Sequence, residues 1–466
     1  MLLYNLKLVF RNLVKNRLYS FLSITGFAIG FAVCIVIGLF AYNEYTVDSY
    51  YPNHSNIYRI LNAKKKTCEV DYNFNKLLAD NNPEIQATCP LDIMMDSEFL
   101  IKTEKRFVKG EGLGVTNNQF FKIFSINVIK GSKTNPFTGK ETAVITQSFA
   151  NKLFKKDEDP VGRAINIDNF INATISAVVE DFPVNSSINA DILLNVENKE
   201  FRFSTSCETN DNCINPFNHY LLLDSRVNPV EFSEKLNRSI STYSFAIDSI
   251  GLEPLQKIYF DRTVTDCQNR KGSINSILIF VAIGVLIVLL STINYLNYNI
   301  SQQYGKLREI GIKRINGAGF SHLIKYYLTE VTVGIIISID IALILVALML
   351  PQINSLLGKH LSLDVLLSPF MLFVSMGVIV IIIIVNSIVP FYLLTKLSSN
   401  FFSGRKQAKG KLVGSRFLTV FQFTATIILI ISVLIIQKQM TFIQKANLGF
   451  SKENLIKVSI PYNFKQ

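Results

Sequence analysis

The sequence predicts an α-helical transmembrane bundle with a large α+β extracytoplasmic domain inserted between the first and second transmembrane helices. Five apolar runs each come close to the roughly 20 residues that a helix needs to cross a bilayer. Between the first and second runs, residues 43–273 are ordinary hydrophilic sequence. The mean hydropathy of +0.29 therefore averages over two different kinds of sequence.

Each predicted segment follows from the hydropathy and charge of its residues. In chain order the segments are a cytoplasmic amphipathic basic helix (1–18), transmembrane helix 1 (19–42), the extracytoplasmic domain (43–273), transmembrane helix 2 (274–298), a cytoplasmic segment (299–326), transmembrane helix 3 (327–350), a short exterior loop (351–367), transmembrane helix 4 (368–395), a basic cytoplasmic linker (396–416), transmembrane helix 5 (417–438) and a polar C-terminal segment (439–466).

The distribution of basic residues predicts the orientation in the membrane. Segments 1–18, 299–326 and 396–416 hold fifteen lysines and arginines and a single acid, Glu309. Cytoplasmic loops are enriched in Lys and Arg, so these segments and the N-terminus are expected in the cytoplasm. The net charge of +12 arises there. The basic composition therefore indicates topology, and we do not expect a nucleic-acid partner.

The first apolar run is predicted to be a retained anchor. It is longer than the apolar region of a signal peptide, and no small-residue cleavage site follows it. Its Gly26-x-x-x-Gly30 spacing either admits a close helix neighbour or arises by chance. Before it, Leu3, Leu6, Phe10 and Leu13 recur at helical spacing opposite basic residues. This predicts an amphipathic helix on the membrane lipid, the alternative being a plain basic patch.

The segment 43–273 alternates strand and helix patterns. Residues 142–146, 164–168 and 173–179 are predicted strands, and 147–154 a short amphipathic helix. Five of the six cysteines lie in this domain. We predict Cys207 with Cys213 as the first candidate disulfide and Cys68 with Cys89 as the second, which leaves Cys267 over. No histidine has ligand spacing with a cysteine pair, so no metal site is predicted.

Catalytic motifs are missing from the sequence. There is no phosphate-binding loop, no His-Glu-x-x-His helix and no Gly-x-Ser-x-Gly elbow. We therefore predict neither enzyme activity nor a cofactor, with an enzyme hidden in the extracytoplasmic domain as the alternative.

Two clusters are more specific, and the second carries a resemblance. The first runs from Asn43 to Ile60, and the second is Gly-Lys-Leu-Arg-Glu-Ile-Gly-Ile-Lys-Arg-Ile-Asn-Gly-Ala at 305–318. Together with 120–131, 142–154, 159–162 and 178–183, they resemble the permease subunits of MacB-type ABC transporters, which have an FtsX-like membrane part and a periplasmic core domain.

The resemblance implies that the second cluster docks on a separate ABC ATPase subunit in the cytoplasm. The matching residues are Arg308, Glu309, Ile310, Gly311, Ile312, Lys313, Arg314, Gly317 and Ala318. The residues themselves suggest a short charged helix whose isoleucines fit a groove of a partner. A solvated basic loop is the alternative, but it does not explain the isoleucines and glycines.

The membrane runs consist mainly of Ile, Leu and Val, which line an aqueous path poorly. This agrees with the mechanotransmission that the resemblance implies. Asp340 is the acid deep inside a run, and a charge there is costly. We predict that it is protonated or hydrogen-bonds Asn386 and so clamps the bundle. The alternative is an interface acid without a mechanistic role.

The last segment resembles the start of a second half in duplicated, eight-helix members of the family. The resemblance therefore implies a truncated or split permease that works with a second permease half or a second copy. It implies export of a drug, peptide or lipoprotein from the bacterial inner membrane, with a periplasmic adaptor as a further candidate partner. A non-transporting FtsX-like regulator of a cell-wall hydrolase is the alternative function.

Overall fold

The computed structural model describes residues 2–71, 74–75, 78, 82–103, 106–155, 157–200, 216–240, 248–265, 270–315, 320–402 and 413–446. The chain divides into two compact units. One, the membrane unit, contains Met1–Asn43 and Asn275–Leu455, and the other, the inserted domain, contains Glu44–Ile274. Each unit has its own hydrophobic core.

The described elements are ten α-helices, one 3₁₀-helix and eleven strands. The helices are α1 (Leu2–Lys15), α2 (Arg17–Tyr45), α3 (Gln119–Ile123), α4 (Gln147–Leu153), α5 (Pro229–Ile240), α6 (Leu255–Ile258), α7 (Ile274–Ile315), α8 (Phe320–Leu357), α9 (Pro369–Phe402) and α10 (Val413–Lys445), with the 3₁₀-helix at Leu363–Leu367. The strands are β1 (Ile57–Asn62), β2 (Glu69–Asp71), β3 (Ile85–Lys102), β4 (Phe107–Thr116), β5 (Val128–Gly131), β6 (Thr142–Thr146), β7 (Ala164–Ile167), β8 (Ile171–Val179), β9 (Ile192–Asn195), β10 (Pro216–Leu223) and β11 (Ile250–Pro254).

Five helices of the described chain are long and apolar enough to cross a membrane, which confirms the five predicted runs. The apolar spans are Ser20–Tyr45, Ile274–Asn297, Tyr327–Leu357, Pro369–Tyr392 and Thr419–Lys445. All five helices extend beyond the predicted boundaries. Helix α8 continues through Pro351 to Leu357, and α7 continues for about five turns beyond its apolar span.

Helix α2 packs against three other helices of the membrane unit. The Cys34 thiol lies 3.2 Å from the Gly284 carbonyl of α7, and the Ser338 hydroxyl of α8 donates to the Ile24 carbonyl at 3.1 Å. Tyr42 stacks on Phe370 of α9 at 6.5 Å between ring centroids. By contrast, Ala425 is the only buried residue among the described side chains of α10. The bundle is therefore built around its first helix.

Of the two interpretations of the Gly26 and Gly30 spacing, the structure shows the close approach of a neighbouring helix. A Cβ atom on Gly30 would lie 2.3 Å from Ser291 Oγ and 3.2 Å from Ser291 Cβ, on α7. The Ser291 hydroxyl also donates a hydrogen bond of 3.4 Å to the Gly26 carbonyl. Small residues thus allow the backbones of α2 and α7 to approach each other closely, as membrane helices commonly do.

The predicted N-terminal helix is present as α1, and it contacts α8. Val9 is fully buried, and the Asn12 side-chain amide donates to Glu330 Oε1 at 2.5 Å. Phe10 and Val14 stay exposed beside Lys7 and Arg11. The side chains of Leu3 and Leu6 lie outside the description. The apolar exposure of Phe10 and Val14 is what a helix on a lipid surface needs, and that role stays a prediction.

The inserted domain is organised by a mixed sheet of eleven described strands. The order is β11-β1-β10-β3-β4-β9-β6-β8-β5, with β2 added on β10 and β7 paired with β3 and β8. The predicted strands at 142–146, 164–168 and 173–179 correspond to β6, β7 and β8, and the predicted helix at 147–154 to α4. The α+β class of this domain is confirmed.

The position of β6 in the sheet explains why the three residues between its terminal threonines are all apolar. Val144 belongs to one core cluster, whereas Ala143 and Ile145 belong to another, so both faces of the strand are covered. Such doubly buried strands lose the alternation of polar and apolar residues. The Thr146 side chain accepts from the Phe149 backbone amide and begins α4 directly after the strand.

We expect Gly30→Ala to destabilise the membrane unit by about 1–3 kcal/mol, because the added methyl overlaps Ser291. Thermal denaturation of the purified full-length chain in lipid nanodiscs would measure the effect. Ser291→Gly should recover most of the loss in the double variant, which a double-mutant cycle isolates. Gly377→Ala is the matched control, because nothing lies within 4 Å of its added Cβ. Equal losses in Gly30→Ala and Gly377→Ala would contradict the close approach.

Candidate functional site

The predicted coupling residues lie at the end of α7. Arg308, Glu309, Ile310, Gly311, Ile312, Lys313 and Arg314 are all within the continuous helix Ile274–Ile315. The sequence suggested a short separate helix, and that expectation is wrong, since the segment is the last part of a 42-residue helix. The side chains of this segment, together with Gly317 and Ala318 entirely, lie outside the described residues.

The inserted domain has a second candidate site, where the chain enters it after α2 and leaves it before α7. We call these two segments, residues 44–52 and the described residues 259–265 and 270–273, the root. The Tyr259 hydroxyl donates to Glu44 Oε2 at 2.8 Å, and both residues are buried. The Gly272 backbone amide donates to the Tyr259 carbonyl at 2.7 Å. One tyrosine therefore ties the entering segment to the leaving segment.

Gly272 is required for this connection. A Cβ atom there would lie 2.1 Å from Cε1 of the Tyr259 ring, which is too close for any side chain. The Arg262 guanidinium also donates to the Gly272 carbonyl at 2.9 Å. Both backbone polar groups of Gly272 are thus fixed, two residues before α7 begins.

Asp48 fixes the entering segment to the loop after β8. Its Oδ1 accepts from the Ser187 amide at 2.7 Å and from the Ser186 hydroxyl at 3.0 Å, while its own amide donates to the Asn185 carbonyl at 3.1 Å. Asp48 has a φ of 60°, which Asp and Asn tolerate better than most residues. Tyr51 shares the network through a 2.8 Å hydrogen bond between its hydroxyl and Ser186 Oγ.

The electrostatics of this network are dominated by burial. Burial raises the pKa of the Asp48 carboxyl, and the hydrogen bonds from Ser187 and Ser186 oppose that shift. Burial likewise raises the pKa of Tyr259. Asp48 Oδ2 has no hydrogen-bond partner among the described atoms. The root therefore contains a buried acid in which one carboxylate oxygen accepts hydrogen bonds and the other does not.

A buried ion pair lies on the first strand after the entering segment. The Arg59 Nη2 donates to Glu253 Oε2 at 2.6 Å, directly across the β1 and β11 pairing. Burial lowers the pKa of the Lys271 ammonium group, and the nearby charge of Arg59 lowers it further. The Lys271 Nζ donates to the Asp261 carbonyl at 2.5 Å. The pair links β1 to β11 next to the root, and removing one partner would leave the other charge buried and uncompensated, which is costly.

The predicted hydrogen bond between Asp340 and Asn386 is not formed. The Asn386 amide donates to the Ile382 carbonyl of its own helix at 2.9 Å, and Asp340 is exposed on α8. Asp340 follows Ser338, which contacts α2, by two residues. Two residues rotate a helix by about 200°, so the carboxyl points away from that contact.

Of the two predicted disulfides, the structure contradicts one and does not describe the other. Cys68 is disulfide-bonded and Cys89 is free and buried, so the predicted pair of Cys68 with Cys89 is wrong. Strand β10 pairs with β2 on one side and β3 on the other, and so separates the two residues. Two strand spacings of about 4.8 Å exceed the reach of a disulfide. Cys207, Cys213 and Cys267 lie outside the described residues.

No group of three or more metal-ligating side chains occurs among the residues that the structure describes. The absence of a metal site stays a prediction. Tyr259 and Gly272 could not be predicted from the sequence, because neither belongs to a recognisable motif. Only the tertiary contact between distant segments identifies them.

The family comparisons agree with this two-unit architecture. Residues 20–239 match the MacB-like periplasmic core domain, and residues 278–399 match the FtsX-like permease C-terminal domain. The chain is a multi-pass membrane protein and belongs to the MacB/FtsX type of ABC-transporter permease.

Solved structures give weaker likenesses. A domain of a protein assigned as a permease from Porphyromonas gingivalis aligns with 18% identity and a TM-score of 0.38, covering 49% of this chain and 99% of that one. The periplasmic region of MacB from Actinobacillus actinomycetemcomitans aligns with 13% identity and a TM-score of 0.33, covering 44% and 91%. Both TM-scores are too low to support an argument. The search of curated proteins finds no match.

We expect Tyr259→Phe to lower the unfolding free energy of the inserted domain by about 1.5–3 kcal/mol, because it deletes a hydrogen bond to a carboxylate. Chemical denaturation of the full-length chain, with hydrogen exchange of the inserted domain as the readout, would measure the change in unfolding free energy. Tyr50→Phe is the matched control, since Tyr50 is 67% exposed. If both variants are equally stable, the tyrosine bridge does not hold the root.

We expect Asp48→Asn to change how stability depends on pH. Since the pKa of Asp48 is raised in the folded state, its contribution is fully present below the pKa of unfolded aspartate, about 3.9, and is lost as the pH rises through the raised value. The variant cannot titrate here. Its stability relative to the wild type should therefore increase between pH 4 and pH 8 in thermal melts. A difference that does not vary with pH would contradict this assignment.

Proposed function

We propose that this permease couples ATP hydrolysis on a separate ATPase subunit to movement of its inserted domain. In this proposal the chain lies in the bacterial inner membrane with a cytoplasmic N-terminus, and the inserted domain is extracytoplasmic. In this proposal the ATPase is a partner subunit, and residues 1–466 contain no phosphate-binding loop.

Helix α7 is the observation that carries the proposal. Its 42 residues extend over about 63 Å, roughly twice the hydrocarbon thickness of a bilayer. The span Ile274–Asn297 is apolar enough to cross the membrane, and the rest of the helix contains Arg308 and Glu309. The helix contains no proline, so no break interrupts it. A displacement of its cytoplasmic end would move the whole helix.

The root supports the same proposal from the other end of the helix. Helix α7 begins two residues after Gly272, whose amide is bonded to Tyr259. Tyr259 is in turn bonded to Glu44, at the end of α2. A movement of α7 would therefore reach both chain connections of the inserted domain together. This arrangement suits a rigid shift of that domain better than a local loop movement.

The packing of the membrane unit favours transmission of force over passage of cargo. Its described core is formed by apolar side chains such as Phe27, Phe31 and Ile335. Two of its buried polar side chains, Ser338 and Asn386, bond to helix carbonyls. A polar solute would meet few hydrogen-bonding groups in such an interior. Cargo would accordingly be handled by the inserted domain.

The cargo in this proposal is a drug, a peptide or a lipoprotein, with a second permease half or a second copy, and a periplasmic adaptor, as further partners. The FtsX-like match is equally compatible with a regulator that moves its outer domain to activate a cell-wall hydrolase. The two functions share the α7 mechanism and differ in what the inserted domain contacts.

A coupling test uses the tagged full-length chain, purified with its partners from its own cells. Arg308→Ala combined with Glu309→Ala should reduce the co-purified ATPase activity at least about tenfold, because charge-assisted contacts of about 1.5–3 kcal/mol are lost. The rate of ATP hydrolysis and the amount of a phosphate-loop protein in the sample would both be measured.

Lys325→Ala is the control for removal of an exposed charge next to the segment, on α8. It should leave the co-purified ATPase and its turnover unchanged. If the Arg308 and Glu309 double variant retains both at the level of Lys325→Ala, the end of α7 is not the docking site for an ATPase.

A further inference from the structure

The inserted domain contains a cleft of about 260 Å³, and part of its wall is the end of the root's entering segment. Six of the residues that line it are Tyr50, Tyr51, Ile126, Glu180, Asp181 and Phe182. Its volume is near the lower end for ligand pockets, roughly 300 Å³, so the cleft accommodates one or two side chains or a small organic molecule.

The apolar part of the cleft is rigid at its base and open at its rim. Tyr51 packs edge-to-face on Phe124 with 5.1 Å between ring centroids, and both rings are almost fully buried. Tyr50 lies at the rim with 67% of its surface exposed. Ser125, with a φ of 51°, forms the turn of the wall after α3. The exposed ring is available to a ligand.

The polar part of the cleft is negatively charged. The Asp181 carboxylate accepts from the amide and the hydroxyl of Ser148, at 2.8 and 2.5 Å, and Glu180 accepts from the Asn127 amide only at 3.4 Å. Neither carboxylate forms an ion pair within the part of the chain that the structure describes. None of the ten described lining residues is cationic. The two negative charges are therefore not neutralised locally.

We propose that this cleft binds an organic cation attached to an apolar body, such as a basic peptide segment or a small amphiphilic amine. The cation would meet the Glu180 carboxylate and the face of the Tyr50 ring, which attract cations through charge and through the ring quadrupole. The apolar body would pack on Ile126 and Pro183. A neutral or anionic molecule of the same shape is not attracted to the carboxylates and binds more weakly.

Hydrogen bonds connect the wall of the cleft to Asp48 of the root. Tyr51 lines the cleft, and its hydroxyl is bonded to Ser186, which donates to Asp48. Calling the bound cation a cargo depends on the proposed function, whereas binding itself does not. The test therefore uses no ATP and no ATPase, so its failure leaves the coupling proposal untouched.

The test exploits the absence of tryptophan from the chain. Tyr50→Trp in the full-length chain in nanodiscs places a single indole at the rim, where its fluorescence reports binding. The probes are N-acetyl-Phe-Arg-amide, the same peptide with neutral citrulline in place of arginine, and phenethylamine. Isothermal titration calorimetry on the wild-type chain repeats each measurement without the substitution.

We expect the arginine peptide to bind saturably and the citrulline peptide to bind at least about tenfold more weakly, as the loss of a charged hydrogen bond requires. Glu180→Gln should weaken the arginine peptide by a similar factor and leave the citrulline peptide unchanged. Glu141→Gln, at an exposed acid that does not line the cleft, is the matched control.

Binding of the arginine peptide alone would support the cleft as a peptide site, and comparable binding of phenethylamine would support it as a site for small amines. Equal binding of the arginine and citrulline peptides would overturn the proposal. So would the absence of saturable binding by both methods, or an affinity for the arginine peptide that Glu180→Gln does not change.

Discussion

The hydrogen bonds of Tyr259 are the constraint on which the rest of the architecture depends. Its hydroxyl contacts Glu44 and its carbonyl contacts the amide of Gly272, so the two chain connections of the inserted domain are held by one residue. A domain inserted into a helical bundle could otherwise move on two independent tethers. With the bridge in place, hydrogen bonds join the entering and leaving segments, which is what the proposed transmission of a helix displacement to a folded domain would require.

The membrane unit contributes the second half of this condition. Close packing of α2 on α7 at Gly30 and Ser291 joins the helices that lead into and out of the inserted domain. The two helices are therefore in contact within the membrane unit, and within the root the end of α2 is bonded to the segment that leads into α7. The buried pair of Arg59 and Glu253 joins β1 to β11, and Asp48 joins the entering segment to the loop after β8. In the proposed function, these contacts favour a rigid movement of the inserted domain.

Much of the fold could be predicted from the sequence, because hydropathy and period alone define long apolar helices and strands. The five spanning helices and β6 are examples in which burial determines the residue type directly. Helix ends were less predictable. Helix α7 continues past its apolar span because charged residues form helix as readily as apolar ones, so hydropathy does not signal where it ends.

The candidate site was predictable only in part. The coupling segment carries a local motif, whereas Tyr259 and Gly272 are ordinary residues far from Glu44 in sequence. The pairing of Asp340 with Asn386 failed because Ser338 of α8 faces α2, and the helical rotation between residues 338 and 340 points Asp340 away from that contact. The pairing of Cys68 with Cys89 failed because an intervening strand, β10, comes from a later part of the chain.

The most direct test of the central claim is the ATP-dependent distance between two spectroscopic labels in the complex with its ATPase. One label would be placed at Lys140 of the inserted domain and one at Leu357 of the membrane unit, both exposed. Noncanonical amino acids avoid the six native cysteines. We predict that ATP binding shifts the distance distribution in the wild-type chain. Glu44→Leu should abolish this shift while ATP turnover continues. A shift of the same size in Glu44→Leu would contradict this prediction.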